Sequence, residues 1–261
     1  MDNNNLLDQL DGKLSESSEA TGGTPAVAPV VTPVTPVSNS SYVALTSNAI
    51  DIIGENLKGQ ALSPALFDVV KSPTGGGTAF AVPGLSGEDM EKELIGIIID
   101  YRTPRAYWDT PDPVEGTPPK CFSRDSITSS EGKSCHSCMF NEFGSKDNGD
   151  GAGKACKESI EILLLRPDSI MPVIVRVPVT SKVTFQKYMM RLAGRMITLS
   201  SVVTKITLEK TTNGTGQPYS LYNFEAVNQL SPEEATNAKA FGAKFMEVMN
   251  SADVDSIVEA V

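Results

Sequence analysis

The chain has one histidine, one tryptophan and no apolar run approaching the roughly 18 residues that span a membrane. A single histidine leaves little material for general acid–base chemistry, and no nucleophile motif accompanies it. The N-terminal segment MDNNNLLDQLDGK lacks the basic-then-apolar order of a secretory signal. These absences predict a soluble, intracellular protein that is not an enzyme.

Strand signals dominate the middle of the chain. Residues 93–108 form a β-branched run that passes into aromatics and arginines, residues 160–179 form two apolar runs split by a turn, and residues 200–227 alternate like a hairpin around Asn213-Gly214. Helical patterns follow at 180–197, capped by Thr180 or Ser181, and at 231–251, capped by Ser231. This order predicts a β-rich (α+β) fold with peripheral helices, for which a five-stranded Greek-key barrel is the commonest small architecture.

Composition divides the chain into three parts. Residues 1–40 are acidic and then rich in Pro, Val and Thr, which predicts a disordered arm. Residues 41–230 form the β-rich domain, with a polar insert at 119–158. Residues 231–261 form a C-terminal helix and a mildly acidic tail.

The net charge of -10 is unevenly distributed. Residues 1–40 hold five acids and one lysine, and residues 225–261 hold seven acids and two lysines, so the ends contribute -4 and -5 and the middle retains -1. Within the middle, residues 154–210 hold ten basic residues against four acids, a local balance of +6. An acidic protein thus contains a basic segment suited to a polyanionic partner.

All four cysteines lie within the insert, at Cys121, Cys135, Cys138 and Cys156. Thiols stay reduced inside cells, and the Cys-x-x-Cys pair with two further cysteines is typical of one closed, structural Zn²⁺ site. A loop so rich in Gly, Ser and charge also needs a cross-link to be ordered. The alternative is four ordinary buried thiols. His136, adjacent to Cys135, is expected to face solvent or to lie behind the ligands.

Aromatic and basic residues alternate where the first apolar strand ends. Single-stranded nucleic acid is held by aromatic rings beneath bases and cations along phosphates. The alternative is that the aromatics fill the core and the arginines are solvated; Phe122, Phe140 and Phe143 likewise could pack on the zinc loop or bind bases. The predicted DNA contacts are Tyr101, Arg102, Arg105, Tyr107, Trp108, Lys154, Lys157 and Lys187.

Five motifs carry a family resemblance. In chain order they are WD, PKCFSxD, CHSCMFNxFGS, GxGKACK and VPVTSKxxFxxY. Together, over residues 95–230, they resemble a type of phage-encoded single-stranded DNA-binding protein with an OB-type barrel and a four-cysteine zinc insert. The resemblance implies the four cysteines as zinc ligands and no catalytic residue.

These observations predict a non-catalytic protein that coats single-stranded DNA in phage replication or recombination. Its expected partners are single-stranded DNA and phage replication or recombination proteins, with no membrane, in the cytoplasm of the infected bacterial host. The leading alternative is a virion or assembly factor whose zinc only staples a loop. A zinc-dependent nuclease, or a regulator of one, is a third class.

Overall fold

The computed structural model describes residues 42–46, 48–110, 117–146, 153–214 and 216–251. These residues all belong to one unit of the chain, Val34–Val261. The predicted disordered arm at residues 1–40 and the acidic tail beyond residue 251 lie outside the described residues.

Strands make up most of the regular structure. In the described residues the strands are β1 (Val69–Val70), β2 (Phe80–Gly84), β3 (Gly87–Glu91), β4 (Glu93–Arg102), β5 (Arg105–Tyr107), β6 (Cys121–Ser123), β7 (Lys157–Leu165), β8 (Val173–Pro178), β9 (Val202–Thr212) and β10 (Pro218–Gln229). The α-helices are α1 (Val43–Thr46), α2 (Ala49–Leu57), α3 (Lys182–Ala193) and α4 (Pro232–Ser251). None of the described helices is long and apolar enough to cross a membrane.

The main sheet is mixed and curled, with the strand order β1-β8-β7-β4-β9-β10. β1 runs parallel to β8, the other pairs are antiparallel, and β5 joins the sheet by pairing with both β6 and β7. β2 and β3 form a separate hairpin. The β-rich α+β prediction is confirmed, whereas the described pairings leave β1 and β10 at opposite ends of an eight-stranded sheet rather than closing five strands into a barrel.

Both faces of the sheet are covered, which explains why β4 is apolar almost throughout. Leu94 and Ile98 belong to the core beneath α3, while Ile97 and Ile99 belong to the core beneath α1 and α4. A strand buried on both faces shows a continuous apolar run instead of alternation. A bulge between Ile98 and Asp100 shifts the register against β7 where the strand leaves the core.

The two long helices begin differently. The predicted cap of α4 at Ser231 is confirmed, and Ser231 forms a capping box with Glu234: the Glu234 amide donates to Ser231 Oγ at 3.3 Å, and the Ser231 amide donates to Glu234 Oε2 at 2.9 Å. The predicted side-chain cap of α3 is wrong at Ser181, which makes no capping bond. Its buried hydroxyl instead accepts the Tyr222 amide at 3.0 Å, because β10 passes directly beside this helix start.

The turn between β9 and β10 is longer than predicted. Thr212 pairs with Pro218, so the loop contains residues 213–217 rather than the two residues Asn213-Gly214. The Asn213 side chain accepts the Gln217 amide at 2.8 Å, and the two backbones also pair at 2.9 Å. An Asn side chain that bonds its own loop favours this wider turn.

Candidate functional site

The short strand β5 organises the site because it touches both the cysteine loop (residues 119–158) and the main sheet. Tyr107 pairs with Cys121 on β6, while Arg105 pairs with Glu158 on β7. The first predicted zinc ligand and the predicted DNA contacts on β5 are therefore held by one three-residue strand.

Four thiols converge on one cavity beside β5. This thiol cavity has a volume of about 530 Å³, and its lining includes all four cysteines, each of which is a free thiol. Backbone bonds anchor the segments that carry them. The Cys135 amide donates to the Ile127 carbonyl, and the Cys156 amide to the Phe140 carbonyl, both at 2.8 Å. Residues far apart in the loop are thus brought to a common space.

The electrostatic environment keeps two of these thiols protonated. Burial raises the pKa of Cys156 to about 11, against the lowering effect of Arg105, and the other three cysteines raise it further. Burial also raises the pKa of Cys121, which hydrogen bonds from the Ser130 and Ser129 hydroxyls partly offset. A thiol must lose its proton to bind Zn²⁺, so metal binding here would release protons.

The four cysteines supply the residue types of a structural zinc site, but the side chains do not form a metal cage as they stand. Among the residues that the structure describes, no three His, Cys, Asp or Glu side chains form a group able to hold a metal ion. The ligand assignment therefore stays a prediction. His136 is exposed, in line with its expected position outside the ligand set.

A second cavity, the cationic cavity, adjoins the thiol cavity and shares Arg105, Phe122 and Ser123 with it. Its volume is about 260 Å³. Basic and acidic side chains from five segments line it: Arg102, Arg105, Arg124, Lys157, Arg176, Glu158 and Glu161. The structure therefore brings Arg102, Arg105 and Lys157, three of the predicted DNA contacts, to one place.

The two carboxylates of the cationic cavity are each shared between cations. Glu161 lies 2.7 Å from Arg102 Nε and 3.3 Å from Arg176 Nη2, with side chains 7%, 11% and 17% exposed respectively. Glu158 pairs in the same way with Arg105 and with Lys182 at the start of α3. Burial lowers the pKa of Arg176, and the nearby Arg102 charge acts in the same direction. The cavity thus concentrates positive charge out of water.

Trp108 and Tyr101, two of the predicted stacking residues, are used for packing. Trp108 is 8% exposed, and its indole Nε1 donates to the Thr117 carbonyl at 2.9 Å. Tyr101 packs edge-on against Phe185 of α3, with ring centroids 5.2 Å apart. The geometry favours the core alternative for both rings, because neither presents an open face to a base.

The aromatics of the cysteine loop are divided between packing and exposure. Tyr107 stacks on Phe140 at a centroid distance of 3.9 Å and an interplanar angle of 15°. Phe143 is 80% exposed, and the Lys154 ammonium lies 4.7 Å from its ring centroid. Phe143 and Lys154 therefore provide an open ring beside a cation, the arrangement that the sequence predicted at residues 101–108.

A line of polar contacts connects the start of α3 to the cysteine loop. Lys182 pairs with Glu158, which pairs with Arg105; Arg105 in turn contacts the Asn141 side chain, whose Oδ1 also accepts from Lys154 Nζ at 3.1 Å. These contacts link α3, the main sheet and the cysteine loop. We call the line of contacts from Lys182 to Lys154 the charged seam.

No family model, curated protein or solved structure matches this chain. The resemblance to phage single-stranded DNA-binding proteins therefore depends on the five sequence motifs alone.

A second group of basic residues lies within the basic segment 154–210 and includes the predicted DNA contact Lys187. Residues 169–208 contain six Lys or Arg and no acid. Three of these cations, Lys187, Arg191 and Arg195, are exposed on α3 and just beyond it, and none forms an ion pair with another described residue. We call these three residues the α3 face. Met190, which is 69% exposed, lies among them.

Proposed function

We propose that this protein is a non-catalytic single-stranded DNA-binding protein that acts in phage DNA replication or recombination, in the cytoplasm of the infected host. The observation that carries the proposal is the α3 face: three exposed cations on a segment of 40 residues that contains no acid. Cations that have no acidic neighbours contribute most to the free energy of binding nucleic acid, because each cation that neutralises a phosphate releases a condensed counterion.

Base stacking is assigned to Phe143 in this proposal. Its ring is 80% exposed with the Lys154 ammonium 4.7 Å from the centroid, an arrangement that offers a platform and a phosphate contact together. Stacking contributes about 1–3 kcal/mol per base and tolerates any sequence, as coating requires. The charged seam from Lys182 to Lys154 connects the start of α3 to the loop that carries this platform, through an Arg105–Glu158 pair whose side chains are each 10% exposed.

One structural Zn²⁺ per chain, held by the four cysteines, is part of the same proposal. Convergence of the thiols on one cavity supports it, and the closed thiolate shell would order the cysteine loop without supplying a catalytic position. The curled sheet likewise supports an OB-like interpretation of the fold.

The test is a fluorescence anisotropy titration of labelled oligo-dT at two salt concentrations. Affinity should fall with added salt, and Lys187→Gln should reduce the salt slope by roughly 0.7–1, because one phosphate contact is lost. Lys239→Gln is the matched control: it is an exposed lysine on α4, which covers the opposite face of the sheet. That variant should leave the slope unchanged.

Two outcomes would contradict the proposal. The absence of saturable, salt-sensitive binding would leave the virion or assembly-factor alternative. Equal effects of Lys187→Gln and Lys239→Gln would show that binding follows net charge and not the α3 face.

A further inference from the structure

The cationic cavity contains more positive charge than its own residues neutralise. Five basic side chains and two carboxylates line it, an excess of three positive charges. Glu158 also pairs with Lys182, which lies outside the lining. The negative charge of Glu158 is therefore only partly available to neutralise the cations of the cavity. The Arg102, Arg105 and Arg176 side chains are only 11%, 10% and 17% exposed and share two carboxylates, so an anion that enters this cavity would relieve repulsion among these three buried charges.

Hydrogen-bond donors are available to receive that anion. The Arg105 side chain is 10% exposed, yet its buried Nε has no hydrogen-bond partner among the described residues. Arg102 donates from Nε to Glu161 and from Nη1 to the Met249 carbonyl, and Arg176 donates from Nη2 to the other oxygen of Glu161, which leaves further N–H groups on both guanidinium forks. Three guanidinium groups therefore surround one small space.

The size and walls of the cavity favour a compact, multiply charged oxyanion. A volume of about 260 Å³ is below the roughly 300–1,000 Å³ of pockets that hold drug-sized ligands. Trp108 and Phe122 form part of the lining, and apolar walls strengthen charge interactions by excluding water. Guanidinium forks match the oxygen geometry of phosphate better than an ammonium does.

We propose that the cationic cavity is a phosphate-binding site, in which Arg102, Arg105, Arg124, Lys157 and Arg176 receive one phosphate group. Two sources share this chemistry: free inorganic phosphate and the terminal phosphate of a nucleic acid strand. The site is separate from the α3 face, and it does not depend on the protein coating DNA.

Isothermal titration of the full chain with inorganic phosphate, against potassium chloride at the same ionic strength, tests the site directly. Saturable binding of one phosphate per chain is expected. Lys157→Gln and Arg124→Gln should each weaken it about tenfold, the loss of one charged hydrogen bond. Lys239→Gln, at an exposed position on α4, should bind phosphate like the unmodified protein, and far-UV circular dichroism checks that each variant is folded.

Phosphate binding no stronger than chloride would overturn the proposal. So would equal weakening by Lys157→Gln and Lys239→Gln, which would indicate a diffuse charge effect. A final comparison uses oligo-dT with a 5′-phosphate or a 5′-hydroxyl. Preference for the phosphorylated strand identifies a nucleic acid end as the source, whereas equal binding identifies free phosphate; either result upholds the site. Because inorganic phosphate is measured separately, failure of DNA binding leaves this test intact.

Discussion

Truncating Trp108 measures whether this ring is part of the core. It is 8% exposed and bonded through Nε1 to the Thr117 carbonyl at 2.9 Å. Trp108→Ala should lower the free energy of unfolding by about 3–5 kcal/mol, because a large buried ring leaves a cavity that the sheet cannot fill. Trp108→Phe retains an aromatic ring but leaves the carbonyl without its donor, which should cost about 1–3 kcal/mol.

Urea unfolding followed by far-UV circular dichroism is the assay, since these variants remove the only tryptophan fluorophore. Phe143→Ala is the control for truncating an aromatic ring: at 80% exposure it should change stability by less than about 0.5 kcal/mol while weakening oligo-dT binding. In the unmodified protein, Trp108 emission should be blue-shifted relative to free tryptophan and unaffected by oligo-dT.

Two results would refute this reasoning. One is a Trp108→Ala cost below about 1 kcal/mol, which no well-packed buried ring would give. The other is emission at the wavelength of free tryptophan with quenching by oligo-dT, which would return Trp108 to the stacking role predicted from sequence.

Three other predictions concern packing, metal and pH. Gly242→Ala should destabilise the protein by about 1–3 kcal/mol, because the added Cβ would lie 2.3 Å from the Ile99 carbonyl oxygen. Gly54→Ala is the control: a Cβ there would have nothing within 4 Å, so this variant should be neutral or stabilising. Equal urea midpoints for the two variants would contradict the prediction. Purified protein should contain about one Zn²⁺ by metal analysis, and Cys138→Ser should lose it and make the cysteine loop protease-sensitive; zinc-free protein prepared without chelator would disprove the site. Burial raises the pKa of Tyr222 from 10.0 to about 12, so the stability that depends on the protonated hydroxyl should be complete below pH 10 and should fall between pH 10 and 12 by up to about 3 kcal/mol. Tyr222→Phe should lose this component in urea titrations, and an unchanged pH profile would contradict it.

Local signals were sufficient for the elements that depend on near neighbours. The 3.6-residue period predicted α3, and Ser231 predicted the start of α4, because a cap bonds to a residue only three positions further along the chain. The apolar runs of β4, β7 and β8 predicted a β-rich fold, because a strand pattern also depends on residues that are close together in the sequence. Four cysteines in one polar loop also indicated a common site, and their convergence on one cavity agrees with that interpretation.

Tertiary structure decided the role of each aromatic and charged side chain. Nothing near Arg102 in the sequence identifies Glu161, 59 residues away, as its partner. Trp108 is buried through its neighbours in space, and Ser181 serves β10 instead of its own helix. Sequence fixes which side chains an element carries, but strand pairing and helix packing between distant residues determine which of them meet. The cationic cavity exists only through that pairing, since its charges come from strands and a loop that the curled sheet brings together.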